Sequence, residues 1–74
     1  MATYQLDVRA EYYETEAGRW DVYRWPEIVR AVSARHAIDK ALAGAGDKMA
    51  ARFGHRVAPR WAVTFSAEIV PNIH

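Results

Sequence analysis

The stretch that decides the fold is YQLDVRAEY, residues 4–12. Apolar or aromatic side chains occupy its even positions, and polar or charged side chains occupy the odd positions between them. A period of two residues puts the two sets on opposite faces of an extended backbone. The stretch therefore predicts a β-strand that buries one face.

A second strand is predicted to return antiparallel to the first. The short polar stretch 14–18 ends in Gly18, which can adopt the positive φ found at the end of a hairpin loop. The second strand then begins at Arg19 or Trp20 and continues toward Val32. The two strands together predict a β-hairpin.

The dipeptide Trp25-Pro26 interrupts the second strand. Because proline donates no ladder hydrogen bond, we expect this strand at a sheet edge or with a bulge at Pro26. Beyond a bulge the inward-facing positions can switch. We therefore expect one face to hold four side chains from both sides of the proline: Trp20, Val22, Val29 and Ala31.

A helix is predicted to follow the hairpin. Ser33 is a suitable N-cap, since its hydroxyl can accept a hydrogen bond from an N–H of the first turn. Behind it an apolar stripe with many small side chains falls at helical spacing: Ala37, Ile38, Ala41 and Leu42. Such a stripe allows the helix to lie close to the sheet.

Two glycines, Gly44 and Gly46, interrupt this helical pattern, and each costs a helix about 1 kcal/mol relative to alanine. Asp47 offers a new N-cap for residues 48–53, and Gly54 offers a C-terminal stop. We therefore expect two short helices or one kinked helix. The alternative is one long helix, because five apolar side chains keep one face across the glycines: Ile38, Leu42, Ala45, Met49 and Phe53.

The third strand is predicted over residues 61–69, where apolar side chains alternate with small or polar ones from Trp61 to Ile69. Pro71 ends it, and residues 71–74 are expected to form a short tail. The order is ββαβ in a single domain of 74 residues. With the proline-bearing strand at an edge, the sequence predicts an α+β fold with an antiparallel sheet in the order 2-1-3.

The residues that usually perform catalysis or bind metals form no recognisable pattern. The chain has no cysteine, its three histidines are far apart in sequence, and its two serines lie outside nucleophile motifs. We therefore expect no enzyme activity, no metal, no cofactor and no small-molecule substrate. The absence of cysteine favours a reducing compartment, the cytoplasm, and no stretch resembles a targeting or membrane-spanning segment.

The basic side chains collect late in the chain. Residues 1–33 carry four basic and six acidic side chains, whereas residues 34–74 carry six basic and three acidic ones. No carboxylate lies between Asp47 and Glu68. This segment predicts weak, salt-sensitive contact with nucleic-acid phosphates through Lys48, Arg52, Arg56 and Arg60.

A protein interface is the other candidate surface. We expect Tyr13 and either Tyr23 or Trp25 to project from the sheet face opposite the helix, where exposed aromatic side chains favour protein contacts. The third strand contains no proline or lysine, so it lacks the usual protection against edge pairing. We expect a partner protein, or a second copy in a homodimer, to bind along this edge near Ala62, Thr64 and Ser66.

A hairpin whose second strand ends Val29-x-Ala31-x-Ser33, followed by a helix with Ala37 and Ala41, resembles small accessory proteins of bacteriophages and conjugative elements. Eight of the ten basic residues are arginine and alanine is the commonest residue, a bias that suggests an actinobacterial phage. The resemblance covers residues 4–42 and implies a fold without implying site residues. The sequence thus predicts a non-enzymatic module, a phage accessory protein that binds a host or phage protein, with nucleic-acid binding as the alternative.

Overall fold

A computed structural model describes residues 1–54 and 63–71 of the chain. In chain order the elements are β1 (Ala2–Glu14), β2 (Arg19–Ala31), α1 (Ala34–Phe53) and β3 (Val63–Ile69). The strands form one antiparallel sheet in the order β2-β1-β3, and α1 packs on one face of it. The predicted α+β fold and strand order are confirmed.

Strand β1 occupies the centre of the sheet, as its alternating sequence predicts. It pairs with β2 along its whole length and with β3 along residues 6–12. Leu6, Val8 and Ala10 are fully buried under α1, whereas Arg9 and Glu11 are exposed on the opposite face. That opposite face is called the open face below.

The hairpin turn between β1 and β2 depends on Glu14 and Gly18. The Gly18 backbone N–H donates to the Glu14 carbonyl oxygen at 2.9 Å, and the Ala17 N–H donates to Glu14 Oε2 at 2.6 Å. Gly18 has a φ of 67°, a left-handed conformation that glycine adopts without the steric cost that a Cβ would impose. The turn joins the two strands as predicted.

Strand β2 lies at an edge of the sheet but has no bulge. Its residues oppose those of β1 one to one from Arg19 to Ala31, so the inward-facing positions never switch. Trp20 and Val22 are consequently exposed on the open face, whereas Val29 and Ala31 face the helix. The predicted switch is wrong because an edge proline requires no bulge when its nitrogen points away from the neighbouring strand.

Helix α1 is continuous across both glycines. The Ser33 hydroxyl accepts a hydrogen bond from the His36 N–H at 3.1 Å, which confirms the N-cap, and Gly54 follows the last helical residue with a φ of 59°. The prediction of two short helices is therefore wrong, because a single helix spans both glycines. Its buried stripe packs along the sheet, which outweighs the cost of the glycines: Ala37, Ala41, Ala45 and Met49.

Replacing Gly44 with alanine should stabilise the protein. The helix is regular at this position, and a Cβ built there has no heavy atom within 4 Å. We expect Gly44→Ala to raise the free energy of unfolding by about 1 kcal/mol in urea titrations. Gly54→Ala, at a positive φ, should lower it. A Gly44→Ala chain that is less stable than the wild type would contradict the continuous helix.

Between α1 and the sheet lies one hydrophobic core. Its buried members are Leu6, Val8, Ala10, Tyr12, Trp25, Ala31, Ala37, Ala41, Ala45 and Met49. Partly buried side chains of β3, among them Phe65 and Ile69, pack against this cluster. Within residues 1–54 and 63–71, no helix is long and apolar enough to cross a membrane.

Candidate interaction surfaces

The predicted basic segment is only partly within the described residues. Lys48 and Arg52 lie one turn apart near the C-terminal end of α1, whereas Arg56 and Arg60 lie outside the described residues. Lys48 Nζ is 2.5 Å from Glu27 Oε1, and the Arg52 guanidinium lies 5.5 Å from the centre of the Tyr23 ring. Both cations therefore interact with groups of the protein itself.

A cleft of about 380 Å³ separates this part of α1 from β2. Its lining combines two cationic side chains with aromatic and small apolar ones: Tyr23, Trp25, Pro26, Lys48, Ala51 and Arg52. The Tyr23 ring packs edge-on against Phe53, with ring centres 5.3 Å apart, and lies 5.4 Å from the Trp25 ring. These aromatic contacts attach the end of the helix to the sheet.

Glu27 joins β2 to α1 through two of the residues that line this cleft, Lys48 and Trp25. Its carboxylate accepts hydrogen bonds from Lys48 and from Trp25 Nε1, the latter at 3.0 Å. The hydrogen bond from Lys48 is the main reason that the pKa of Glu27 lies below its ordinary value, although partial burial acts in the opposite direction. Because Glu27 neutralises the Lys48 charge, Lys48 would attract a phosphate less strongly than an unpaired lysine.

Removing the Glu27 charge should weaken the fold in a pH-dependent way. We expect Glu27→Gln to lower the free energy of unfolding by about 1 kcal/mol at neutral pH. Because the folded-state pKa of Glu27 is lowered, its contribution is present above the unfolded-state pKa and is lost as pH falls through the folded-state pKa.

Urea titrations of both chains at neutral and acidic pH would measure this difference. Glu68→Gln, which removes an exposed carboxylate of β3, serves as the control and should change stability little. A Glu27→Gln effect that is equally large below the folded-state pKa of Glu27 would contradict a role for its charge.

The prediction that Tyr13 projects from the face opposite the helix is confirmed, whereas the same prediction for one of the Tyr23/Trp25 pair is wrong. Residues 23 and 25 are two apart in a strand without a bulge, so they share one face, and that face is covered by α1. Trp25 is only 8% exposed. Tyr13 lies on the open face, with its ring centre 5.8 Å from that of Trp20, which the sequence had placed inward.

Two apolar ends and a charged middle make up the open face. Trp20 is 62% exposed at the hairpin end and Ile28 is 74% exposed at the other. Between them Arg24 pairs with Asp7, and Arg9 Nη2 lies 2.7 Å from Glu11 Oε1. The Asp7 carboxylate raises the pKa of Arg24, mainly by accepting its hydrogen bond. Ion pairs thus divide the exposed apolar area into separate parts.

The direction of the backbone groups along the sheet follows from one hydrogen bond. The Val70 N–H donates to the Gln5 carbonyl oxygen at 2.8 Å, where the β1–β3 register brings these two residues opposite each other. Directly opposed antiparallel pairs alternate between bonded and non-bonded pairs. Odd-numbered residues of β1 therefore bond to β3, and its even-numbered residues bond to β2.

The even-numbered residues of β2 direct their backbone N–H and C=O groups away from β1, toward the outer edge of the sheet. Side-chain hydrogen bonds and a proline block this edge at regular intervals. The outward N–H of Val22 donates to Asp21 Oδ1 at 2.8 Å. Pro26 has no N–H, and the outward carbonyl of Arg30 accepts a hydrogen bond from Lys40 Nζ at 3.0 Å. Residues 22, 26 and 30, every second one whose backbone groups face this edge, thus have either a hydrogen-bonded N–H or carbonyl group or no N–H at all.

The outer edge of β3 differs from that of β2. Four odd-numbered residues direct their N–H and C=O groups outward along this edge: Val63, Phe65, Ala67 and Ile69. In the described part of the chain, β3 forms a ladder only with β1. We call this the free edge of β3. Thr64 and Ser66, which the sequence singled out, are exposed beside it on the open face, with backbone groups directed to β1, and Ala62 lies outside the described residues.

The side chains that block the outer edge of β2 were not identified from the sequence. Asp21 and Lys40 are ordinary surface residues in the sequence, and only the register and the position of α1 bring them to backbone groups of β2. Of the features that block this edge, only Pro26 could be identified from the sequence, where it predicted an edge strand. The sequence pattern likewise could not show which backbone groups of β3 point outward.

The described residues contain no group of three or more histidine and carboxylate side chains that could hold a metal ion. Comparison with models of protein families, with curated proteins and with solved structures found no match. The resemblance to phage accessory proteins therefore stays a prediction. What can be inferred about function rests on the surfaces described above.

Proposed function

We propose that this chain is a non-enzymatic protein-interaction module that binds its partner through the free edge of β3. The observation that carries the proposal is the difference between the two sheet edges. The outer edge of β2 is blocked at Val22, Pro26 and Arg30, whereas β3 has neither proline nor lysine and a single charged side chain, Glu68. An edge of this kind accepts an additional strand from another chain.

The free edge also lies beside apolar side chains that an added strand would cover. Phe65 and Ile69 belong to β3, are only partly buried, and pack on the margin of the core. A strand bonded to their backbone groups would place its own inward side chains next to them. Burying this apolar surface adds to the stability of a small domain whose core is limited in size.

Nucleic-acid binding is supported less well. Lys48 and Arg52, the two basic residues of the predicted cluster that the structure describes, already interact with Glu27 and Tyr23. A phosphate would have to replace the Glu27 carboxylate to bind Lys48. On the open face, Arg9 and Arg24 are likewise paired with carboxylates.

Amide hydrogen exchange on dilute protein tests whether the edge is available. We expect the outward amides of β3, at residues 63, 65, 67 and 69, to exchange quickly. The amides of Thr64, Ser66 and Glu68 are bonded to β1 and should exchange slowly. Slow exchange at both sets in monomeric protein would show that the chain covers its own edge, and would contradict the proposed function.

A further inference from the structure

We propose that the partner at the free edge of β3 is a second copy of the chain, bound antiparallel with Ser66 opposite Ser66, and that the assembly stops at two copies. This inference rests on the proposed function, because it requires the edge to be free. It adds the identity of the partner, the register of the two strands and the stoichiometry.

The register follows from symmetry and from the directions of the backbone groups. When a strand pairs with its own copy around a two-fold axis, two residues opposite each other must direct their backbone N–H and C=O groups the same way. Both residues direct them toward the partner strand, or both direct them toward β1 of their own copy. Centring the pair on Ser66 satisfies this rule and overlaps all of Val63–Ile69. Phe65 then opposes Ala67 of the second copy, and Val63 opposes Ile69, so every outward residue of β3 finds a bonded partner.

The side chains are compatible with this register. On the helix side, only apolar residues meet across the axis, which extends the core from one copy into the other. On the open face Glu68 opposes Thr64 of the second copy, and Ser66 opposes itself. No like charges face each other directly, and opposed like charges would destabilise such a pair.

The helices of the two copies have room beside each other. The two-fold axis is perpendicular to the sheet, so both helices lie on the same face. Each α1 packs on all three strands of its own sheet and is therefore centred over β1. Three strand spacings separate the two β1 strands, about 14 Å, which exceeds the 8–10 Å of directly packed helices.

The outer edge of β2 explains why the assembly closes. In the dimer, β2 forms both ends of a six-stranded sheet. Further growth would require β2 to pair with another edge, but the Val22 N–H and the Arg30 carbonyl already have hydrogen-bond partners and Pro26 has no N–H. The chain therefore has one edge for binding and one edge that prevents continuation.

Charge substitution at Ser66 tests the register by analytical ultracentrifugation. Ser66→Glu places two carboxylates opposite each other in the dimer, while within one copy the new side chain faces Arg9. We expect its dimer dissociation constant to rise about tenfold or more. Thr3→Glu is the matched control, since it also places a glutamate opposite an arginine, Arg30, but away from β3. It should leave dimerisation unchanged.

A mixture of two charged chains gives the sharper result. Ser66→Lys alone should also dimerise weakly, whereas Ser66→Glu and Ser66→Lys together should restore dimers, because opposite charges then face each other. Circular dichroism checks that each chain is folded, and if one fails to fold, the other alone still tests for weakened dimers. Wild-type protein that stays monomeric at millimolar concentration would overturn the dimer proposal. If the amides of residues 63, 65, 67 and 69 nevertheless exchange quickly, the edge is free and the proposed function is not contradicted. Dimers that neither charge weakens would overturn the register.

Closure has its own test. The combined variant Asp21→Ala, Pro26→Thr and Lys40→Ala removes every block from the outer edge of β2, and we expect it to form assemblies larger than dimers. If this chain does not fold, Pro26→Thr alone carries the test. Wild-type chains that assemble beyond dimers, or a folded unblocked variant that stays dimeric, would overturn the assigned role of the β2 edge.

Discussion

Leu6→Ala is expected to lower the free energy of unfolding by about 2–5 kcal/mol. Leu6 is fully inaccessible to solvent, and with Val8 it is one of the largest side chains completely buried in the core. It lies on the central strand, opposite Glu27 of β2 and Ile69 of β3, so truncation leaves a cavity beneath α1. A small domain is stable by only about 5–15 kcal/mol, and this loss would consume much of that margin.

Urea unfolding followed by circular dichroism would measure the effect of Leu6→Ala. Ile28→Ala is the matched control, because it also shortens an aliphatic side chain in the sheet but at a position that is 74% exposed. We expect the control to change the free energy of unfolding by less than about 0.5 kcal/mol. Equal losses in the two variants would mean that β1 and β2 are oriented differently from the structure described here.

The second large effect is expected when the helix stripe is enlarged. Ala45 is completely buried between α1 and the sheet, where its small size permits close approach. Ala45→Leu adds three carbon atoms at this contact and should lower the free energy of unfolding by about 1–3 kcal/mol. Leucine and alanine have similar helix propensities, so the loss would come from packing and not from the helix itself.

Thermal and urea unfolding of Ala45→Leu should be compared with those of Ala43→Leu. Residue 43 lies on the exposed side of the same helix, so this control has the same change in composition without the contact. We expect it to resemble the wild type. An Ala45→Leu chain as stable as the control would show that α1 does not lie close to the sheet at this point.

Most of the fold could be predicted because local pattern and tertiary structure agree. The alternation in residues 4–12 identified the central strand, Ser33 identified the start of the helix, and Pro26 identified an edge strand. The predictions failed where packing overrides local preference. The glycines suggested a break in α1, but the buried stripe on either side of Gly44 keeps the helix continuous.

Less of the candidate site could be predicted from the sequence. The β3 edge was identified because residues 63–69 lack the usual protective residues, but the contrasting protection of β2 depends on Asp21 and Lys40, whose side chains reach the backbone only in the folded chain. Lys48 appeared to be a free cation because Glu27, its partner, lies 21 positions earlier in the sequence. Interactions of this kind depend on the relative placement of α1 and the sheet, which no local pattern specifies.

Intermolecular nuclear Overhauser effects in a mixed-label sample test the central claim most directly. One half of the sample carries carbon-13 and the other half does not, so that filtered spectra report only contacts between copies. We expect contacts between Phe65 of one copy and Ala67 of the other, and between Val63 and Ile69. Contacts confined to the open face, such as those of Trp20 or Ile28, or an absence of any contact between copies at millimolar concentration, would contradict pairing along β3.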